Sequence, residues 1–540
     1  MHCSMPTLPG RAPLPARPRV ALVVATLVLG GCLPLVGPDY EEPAAPLATE
    51  WMDLGDPELK REAADYSAWW TVFDDPELDA LIERAYEQNL SLRIAGIRVL
   101  QAQAARGISI GELYPQLQQA VGSADRVALS KQTAIPTSDR HFSDWRSGID
   151  AAWELDLWGR FRRGIEAADA SLLATVASYD DVLVSLVAEV AAAYVEVRTF
   201  QERLAAVREN VQVQERSYQI ADVRFRNGAV TELDVQQAKS LLRDTQAQIP
   251  QLESSIRQAE NTLSFLLGMP PRDLRDLLGD AKPIPEPPAE VAVGIPAELL
   301  RRRPDIRAAE REVAAQSARI GVAAADLYPH FALTGSVGLA ADSFDDMFSS
   351  GSFEGFGGPG FNWSVLNYGR LRNNVRVQDA GYQQRVVNYE NAVLRAQREV
   401  EDAIAAYLGS KDEVVFLSEG AQAAGRSVEL AALQYREGAV DYSRVLDSQT
   451  IKTRSDDRLA STLGVVDLSL IALYKALGGG WELRQGRAFV PEETEREMQA
   501  RTNWGDLLSP DEQSAQLEQA AAGTEKDRGW WRWRWWWPLW

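Results

Sequence analysis

Apolar residues recur every seven positions along two long tracts of the chain. Val176, Leu183, Val190, Val197, Leu204, Val211, Tyr218 and Phe225 form one unbroken row. Tyr179, Leu186, Ala193, Phe200, Val207 and Ala221 form its companion, interrupted only by Gln214. Val386, Val393, Val400, Tyr407, Val414, Ala421, Val428 and Tyr435 repeat the first row later in the chain. A sustained seven-residue period predicts long helices in a left-handed supercoil. Each would run about 60–65 residues, or roughly 90–100 Å at 1.5 Å per residue. Turns at Asn227-Gly228 and Glu437-Gly438 send the chain back, and Val235, Leu242, Ile249, Ile256 and Leu263 continue the heptad on the return. Pro250 is expected to bend that returning helix or to end a segment of it. Ala424 and Ala431 leave room for close helix approach.

Upstream of each tract the period falls to two. Trp145, Ser147, Ile149, Ala151, Trp153, Leu155 and Leu157 share one face, as do Phe331, Leu333, Gly335, Val337 and Leu339, and then Phe361, Trp363 and Val365. This alternation predicts half-buried strands, about two in each half. Before them, residues 75–112 read as helix, with Asp74 and Asp75 as caps ahead of Pro76. Tyr-Pro (114–115 and 328–329) marks the change from helix to strand, because Pro continues neither a helix nor a ladder. Gly-Arg (159–160 and 369–370) marks the return to helix.

The two tracts belong to a larger repetition. Leu113-Tyr114-Pro115 recurs as Leu327-Tyr328-Pro329 at an offset of 214, and the offset then settles at 210. Trp153 matches Trp363, Glu189-Val190 matches Glu399-Val400, Gly228-Ala229-Val230 matches Gly438-Ala439-Val440, and Leu267-Gly268 matches Leu477-Gly478. A period this long is no solenoid unit; it is an internal two-fold repeat of half a protein. The resulting division is a signal peptide at 1–31, an N-terminal segment at 32–74 and a first repeat at 75–281. A Pro-rich linker at 282–296, a second repeat at 297–480 and an acidic tail at 481–540 follow. The tail carries little apolar periodicity and reads as disordered.

Charge and composition narrow the function. Lys and Arg total 56 against 77 Asp and Glu, a net −21, which argues against a nucleic-acid binder. With two Cys and three His in the whole chain, neither a zinc site, a Cys nucleophile nor a disulfide framework is expected. The acids read as solvated helix faces, without Ser/His/Asp or metal-ligand spacing, so neither an enzyme, a cofactor nor a metal is expected. Arg11, Arg17 and Arg19 precede the run Val20 to Leu29, apolar except for Thr26, which is too short to cross a bilayer but suits a signal peptide. It ends in Leu29-Gly30-Gly31-Cys32, which resembles a bacterial lipobox and implies acylation of Cys32. Leu33 at the next position, in place of Asp, implies sorting to the outer membrane. Loss of the signal removes three positive charges and no acids, taking the chain from −21 to −24. No other apolar stretch reads as long enough to span a membrane as a helix, so a spanning segment would be β.

Four strands per chain cannot close a transmembrane barrel, which needs at least about eight. Two copies would give a filled interior, and three would give twelve strands with room for a pore. Heptads alone fit a coiled-coil lipoprotein scaffold that links the outer membrane to periplasmic partners; the Trp- and Gly-rich alternation argues for a channel.

These segments carry a family resemblance. Val36-Gly37-Pro38-Asp39-Tyr40 after the Cys, WELDLWGR at 153–160, RRRPDIRAAE at 301–310 and the twin Gly turns resemble the TolC-like outer-membrane efflux family, in its lipoprotein, NodT-like branch serving RND-type pumps. The resemblance covers about residues 32–480. It implies an α+β membrane protein: a homotrimer with a twelve-stranded β-barrel in the outer membrane, four strands per chain, continued by a long α-helical coiled-coil barrel. It implies outer-membrane lipid, a periplasmic adaptor (membrane fusion) protein and an inner-membrane RND-type pump as partners. The implied function is passive exit of small molecules; a duct for type I protein secretion is the alternative within the family. In such proteins the tunnel closes at its periplasmic tip near the Gly turns. Counting from Tyr435 places the tip acid at Asp447, and Asp234 matches the acid of the first repeat. Arg444 and Val440 stand where the family has an acid and an Arg, so the usual ion pair does not carry over unchanged; Arg444 is a candidate replacement partner for Asp234. Three such carboxylates around one axis would attract cations.

Seven of the 16 tryptophans fall between Trp530 and Trp540, interleaved with Arg532 and Arg534. Trp with Arg favours a membrane interface, so this terminus is either an interfacial anchor or an extension without function.

Overall fold

The structure is a computed structural model and describes residues 35–62, 65–132 and 140–523. The expectations for Cys32 and the signal, and for the Trp/Arg-rich segment 529–540, lie outside the described residues. Two compact units are formed. One comprises the chain up to Asp39 with Ser109–Ile165 and Ala318–Gln378, and the other comprises Tyr40–Ile108, Glu166–Ser317 and the chain from Asp379.

The first unit holds four strands, β1 (Leu117–Ala128), β2 (His141–Leu155), β3 (His330–Ala341) and β4 (Phe353–Asn362). They pair antiparallel in the order β1-β2-β3-β4. Trp363, Val365 and Leu157, placed on strands by their alternation, fall just beyond the strand ends. Pro359 sits on β4, an edge of the four, where a missing N–H is tolerated.

The second unit is helical. Its helices, some of which begin or end in the first unit, are α1 (Pro76–Gln88), α2 (Leu90–Gly111), α3 (Arg160–Arg226), α4 (Glu232–Leu266), α5 (Pro304–Ala325), α6 (Arg370–Arg436) and α7 (Tyr442–Ala476). The helix expected over 75–112 divides at Asn89. Asp75 caps α1 by accepting from the Glu77 N–H, and Asn89 accepts from the Leu92 N–H while donating to the Leu266 carbonyl. α3 and α6 each span 67 residues, slightly more than the heptads suggest, and α4 and α7 each span 35. α4 runs through Pro250 without ending there.

The heptad rows form the core. Leu183, Val190, Val197, Val393, Val400 and Tyr407 are all buried in one large apolar cluster with Trp69, Leu470 and Tyr474. α3 and α7 each contain an apolar window with mean hydropathy 1.4, long enough to cross a membrane, which the sequence reading missed because isolated polar residues break the run. In each, 61% of the window is buried inside the fold, as in the core helix of a soluble protein. The Pro-rich linker is not wholly free-standing: Val291–Ala292 pairs in parallel with Leu59–Lys60.

The acidic tail is a correction. Residues 492–501 and 510–523 form helices, α8 (Glu492–Arg501) and α9 (Pro510–Gly523). Met498 and Leu508 close a small cluster with Leu100 and Val490, and Ala520 joins the main core. The apolar contacts are too few to show as a period, yet they supply enough burial to order the segment.

Candidate functional site

In an antiparallel sheet, directly paired residues share a face and successive residues alternate. Ile149 pairs with Ala120 and Val337, Trp153 with Leu333, Leu339 with Phe353, and Phe331 with Phe361. One face is therefore apolar over most of its extent, and its large side chains stand in the open: Ile149, Val337, Phe353 and Phe361 are 55–70% exposed. Aromatic residues bound this band at both ends. At one end lie Trp153 and Trp363, whose indole N–H groups donate to the Leu113 and Leu327 carbonyls at 3.1 Å in matching fashion. At the other, Trp145 packs edge-on against Phe344, which packs against Phe348. The eight residue steps from Trp145 to Trp153 correspond to roughly 27 Å of strand at 3.4 Å per residue, or about 20 Å of height at the 35–45° tilt of barrel strands, near the ~25 Å apolar band of an outer-membrane barrel.

The opposite face is polar. It carries Asp125, Asp144, Asp150, Glu154 and Glu354, with Arg146 the sole Lys or Arg on that face of the described strands. At its helix-proximal end, Glu154 meets the His330 Nδ1 at 2.7 Å and the Arg160 Nη1 at 3.3 Å. These residues line an open cavity of about 460 Å³ with Asp326 and Asn362.

The segment that follows Cys32 is fixed to this unit. Gly37 has φ +93°, and a Cβ there would collide with the Gly321 Cα, so only Gly fits. The Val36 N–H donates to the Trp158 carbonyl at 3.1 Å, and the buried Arg163 donates to the Val36 carbonyl and pairs with Asp39 at 2.8 Å. Leu35 packs on Gly159, just beyond the end of β2.

In the helical unit, the ends of the two long hairpins converge. Gly228 (φ +69°) and Gly438 (φ +78°) make the turns. Ala221, Val235 and Ala238 of α3 and α4 bury against Ala431, Tyr435, Tyr442 and Val445 of α6 and α7. The Tyr435 and Tyr442 rings meet edge to face at 5.4 Å. Burial pushes both hydroxyls above the ordinary tyrosine range, and the nearby Asp234 charge adds to it.

Of the sequence-derived tip residues, Tyr435 is buried, Asp234 is half-buried and capped by the Thr231 hydroxyl at 3.5 Å, and Arg444 and Asp447 are exposed on α7. Among the described residues Arg444 and Asp234 form no ion pair. The cation engaged here is one the sequence reading missed, Arg224. Its Nη1 donates to the Tyr435 carbonyl, and its guanidinium lies 4.6 Å from the Tyr435 ring centroid. Its position four residues before Gly228 was the available signal. A buried carboxyl was also missed: Asp467 is fully buried, neither oxygen has a partner among the described residues, and burial alone pushes it up to about 8.

The model of the outer membrane efflux protein family matches residues 81–269 and again 295–479. The chain is 34% identical over 467 residues to the solvent efflux pump outer membrane protein SrpC of Pseudomonas putida, covering 85% of this chain and 98% of that one. It is 31% identical over 479 residues to outer membrane protein OprJ of Pseudomonas aeruginosa, covering 87% and 97%. The solved outer-membrane channel OprN superposes with a TM-score of 0.78 at 34% identity, over 83% of this chain and all of that one.

Proposed function

The chain belongs to the outer membrane efflux protein family and is an outer-membrane efflux channel, and from that premise we propose that three copies build one duct. The observation that carries this reading is the four-stranded sheet with an exposed apolar face, an acidic opposite face and two edges, β1 and β4, that pair with no further strand among the described residues. Unpaired edges cannot remain open in a bilayer, so β1 of one copy pairs with β4 of the next. Three copies close a twelve-stranded barrel whose apolar face meets lipid and whose acids line the lumen. The α3–α4 and α6–α7 hairpins of the copies, four helices each, form a twelve-helix tunnel into the periplasm. The matching element lengths of the two halves make this tunnel pseudo-symmetric.

The tunnel docks on a periplasmic adaptor and an inner-membrane RND-type pump, and small molecules leave passively through it. Asp447, with Asp234 and the Tyr435 cluster, forms the tip gate, and Arg224 holds the hairpins together there. Cys32 carries acyl chains. It lies three residues before Leu35, within a chain reach of about 10 Å from the strand–helix junction, which supports an anchor at the periplasmic rim of the barrel. Three or more carboxylates per copy facing one lumen favour cations.

Planar-bilayer recording of the purified full chain tests the reading. Discrete, cation-preferring conductance steps are expected, with larger steps and weaker cation preference for Asp447→Ala. A parent protein without conductance overturns the channel reading; an Asp447→Ala variant indistinguishable from the parent overturns the gate assignment.

A further inference from the structure

Where α3, α6 and α7 meet the start of α5, the helical unit holds an open cavity of about 580 Å³, within the range of small-molecule sites. Its floor is apolar: Val184 of α3, Ala403 and Ala406 of α6, and Val465, Leu468 and Ala472 of α7. Ala406, Val465 and Ala472 are exposed, so the floor is open to solvent.

The rim is charged, and most of its charges already satisfy one another. The buried Arg303 pairs with Asp305 and with Glu399, both at 2.8 Å, and donates to the Ala476 carbonyl at 2.8 Å. Asp402 lies 3.6 Å from Arg398 of its own helix. Two rim groups stand apart. Neither the half-buried Asp181 nor the exposed Lys475 has a hydrogen bond or ion pair among the described residues. Burial pushes the Asp181 carboxyl above the ordinary range and the Asp305 charge adds to it, with Arg303 and Lys475 opposing. A carboxylate that is partly desolvated and unpaired gains from a cation brought to it. The rim sets four carboxylates, Asp181, Asp305, Glu399 and Asp402, against Arg303 and Lys475, so its field also favours a cation. Lys475, exposed and hydrated, draws an anion only weakly.

The direction in which the cavity opens follows from α6. Gln397 accepts from the Ala48 N–H at 2.7 Å and Glu401 from the Met52 N–H at 3.1 Å, so these two hold the N-terminal segment against the helix. Glu399 lies midway between them and, at about 100° per residue, projects about 160° away from both. Segment and cavity therefore occupy opposite sides of α6.

Resting on the channel reading above, we propose that this cavity is a binding site on the inner wall of the duct for amphiphilic organic cations, with the positive charge at Asp181 and the apolar body on the alanine floor. The lipid anchor lies outside the barrel, so the segment that follows it covers the outer side of α6 and the cavity opens inward. A bare metal ion gains nothing from the apolar floor, and a neutral apolar molecule leaves Asp181 unpaired. A molecule passing through the duct pauses here, and while bound it obstructs the flow of ions.

Equilibrium dialysis of the full-length protein in detergent against ethidium, a permanent monocation on a flat apolar frame, tests the site. The parent is expected to bind ethidium, and Asp181→Asn to bind it about tenfold more weakly. Ala472→Trp fills the cavity and is expected to abolish binding, with helical circular dichroism retained in both variants. Glu419→Gln removes an exposed carboxylate elsewhere on α6 and is expected to bind like the parent. A parent that does not bind overturns the proposal, as does binding that survives Asp181→Asn and Ala472→Trp. An equal loss in Glu419→Gln, or tighter binding of anionic anilinonaphthalene sulfonate, overturns it too. In planar bilayers ethidium is expected to interrupt the parent's current, and to do so less potently with Asp181→Asn. A conducting parent that ethidium never interrupts overturns the inward orientation. A parent that binds ethidium at Asp181 but never conducts overturns the channel reading instead, a result distinct from the others.

Discussion

The two 67-residue helices, α3 and α6, occupy equivalent places in the two halves but meet different surroundings. At three positions 210 apart, α3 carries Ala167, Ala177 and Val184, which are 7%, 5% and 3% exposed. α6 carries Val377, Val387 and Leu394 there, which are 64%, 51% and 52% exposed. A helix that turns larger apolar side chains outward than its twin turns inward is not finished by its own chain. On the proposed assembly a neighbouring copy covers this face of α6, while α3 is buried within the protomer. On that assembly, one of the two matching helices serves the core and the other the interface.

That contrast can be broken most severely at the interface. Val387→Glu with Leu394→Glu is expected to abolish the trimer, leaving single chains on size-exclusion chromatography with helical circular dichroism retained; a preserved trimer would show that the face is free. Next in size is a matched pair of carboxylates. Asp180 of α3 is buried and ion-paired with both Arg307 at 2.6 Å and Arg484 at 2.7 Å. Asp180→Ala strands two guanidinium groups and is expected to cost about 3–5 kcal/mol. Its counterpart Glu390 of α6 is only half-buried, and Glu390→Ala should stay within about 0.5 kcal/mol. Equal losses in denaturant titrations would erase the distinction between the helices.

A pH-dependent effect of comparable size follows from Asp467, whose carboxyl rises from 3.8 to about 8 on burial. Below about pH 4 it is protonated in folded and unfolded chains alike and contributes no pH dependence. Between about 4 and 8 the unfolded chain releases the proton that the folded chain keeps, so stability falls as pH rises, and above about 8 the penalty is complete. Asp467→Asn should remove this slope and raise the melting temperature at pH 8 more than at pH 4; a parallel shift at both would contradict it. The smallest effect on the fold is that of Cys32→Ser, which should abolish palmitate labelling and weaken membrane attachment. Unchanged labelling would refute the lipobox.

The long helices and the alternating strands were legible because burial imposes a period. Those periods survive only where every turn faces the core, as at Leu183, Val190 and Val197. Strand β1 was less visible, because Gln118 and Gly122 interrupt its apolar face. The Gly37–Gly321 contact joins residues far apart in sequence and leaves no local signal. Arg224 was overlooked for a similar reason, since its partner Tyr435 belongs to the other hairpin. The order in the acidic tail rests on scattered residues such as Met498 and Leu508, too few to set a period. Gln214 was visible only as a defect, and its pairing with Thr453 gives the defect a partner.

On the proposed assembly the chain becomes a channel only when copies cover one another's α6 face and join β1 to β4. Native mass spectrometry of the detergent-solubilised full chain tests it most directly. A mass of three chains is expected; a parent protein that stays a single chain would overturn the shared barrel.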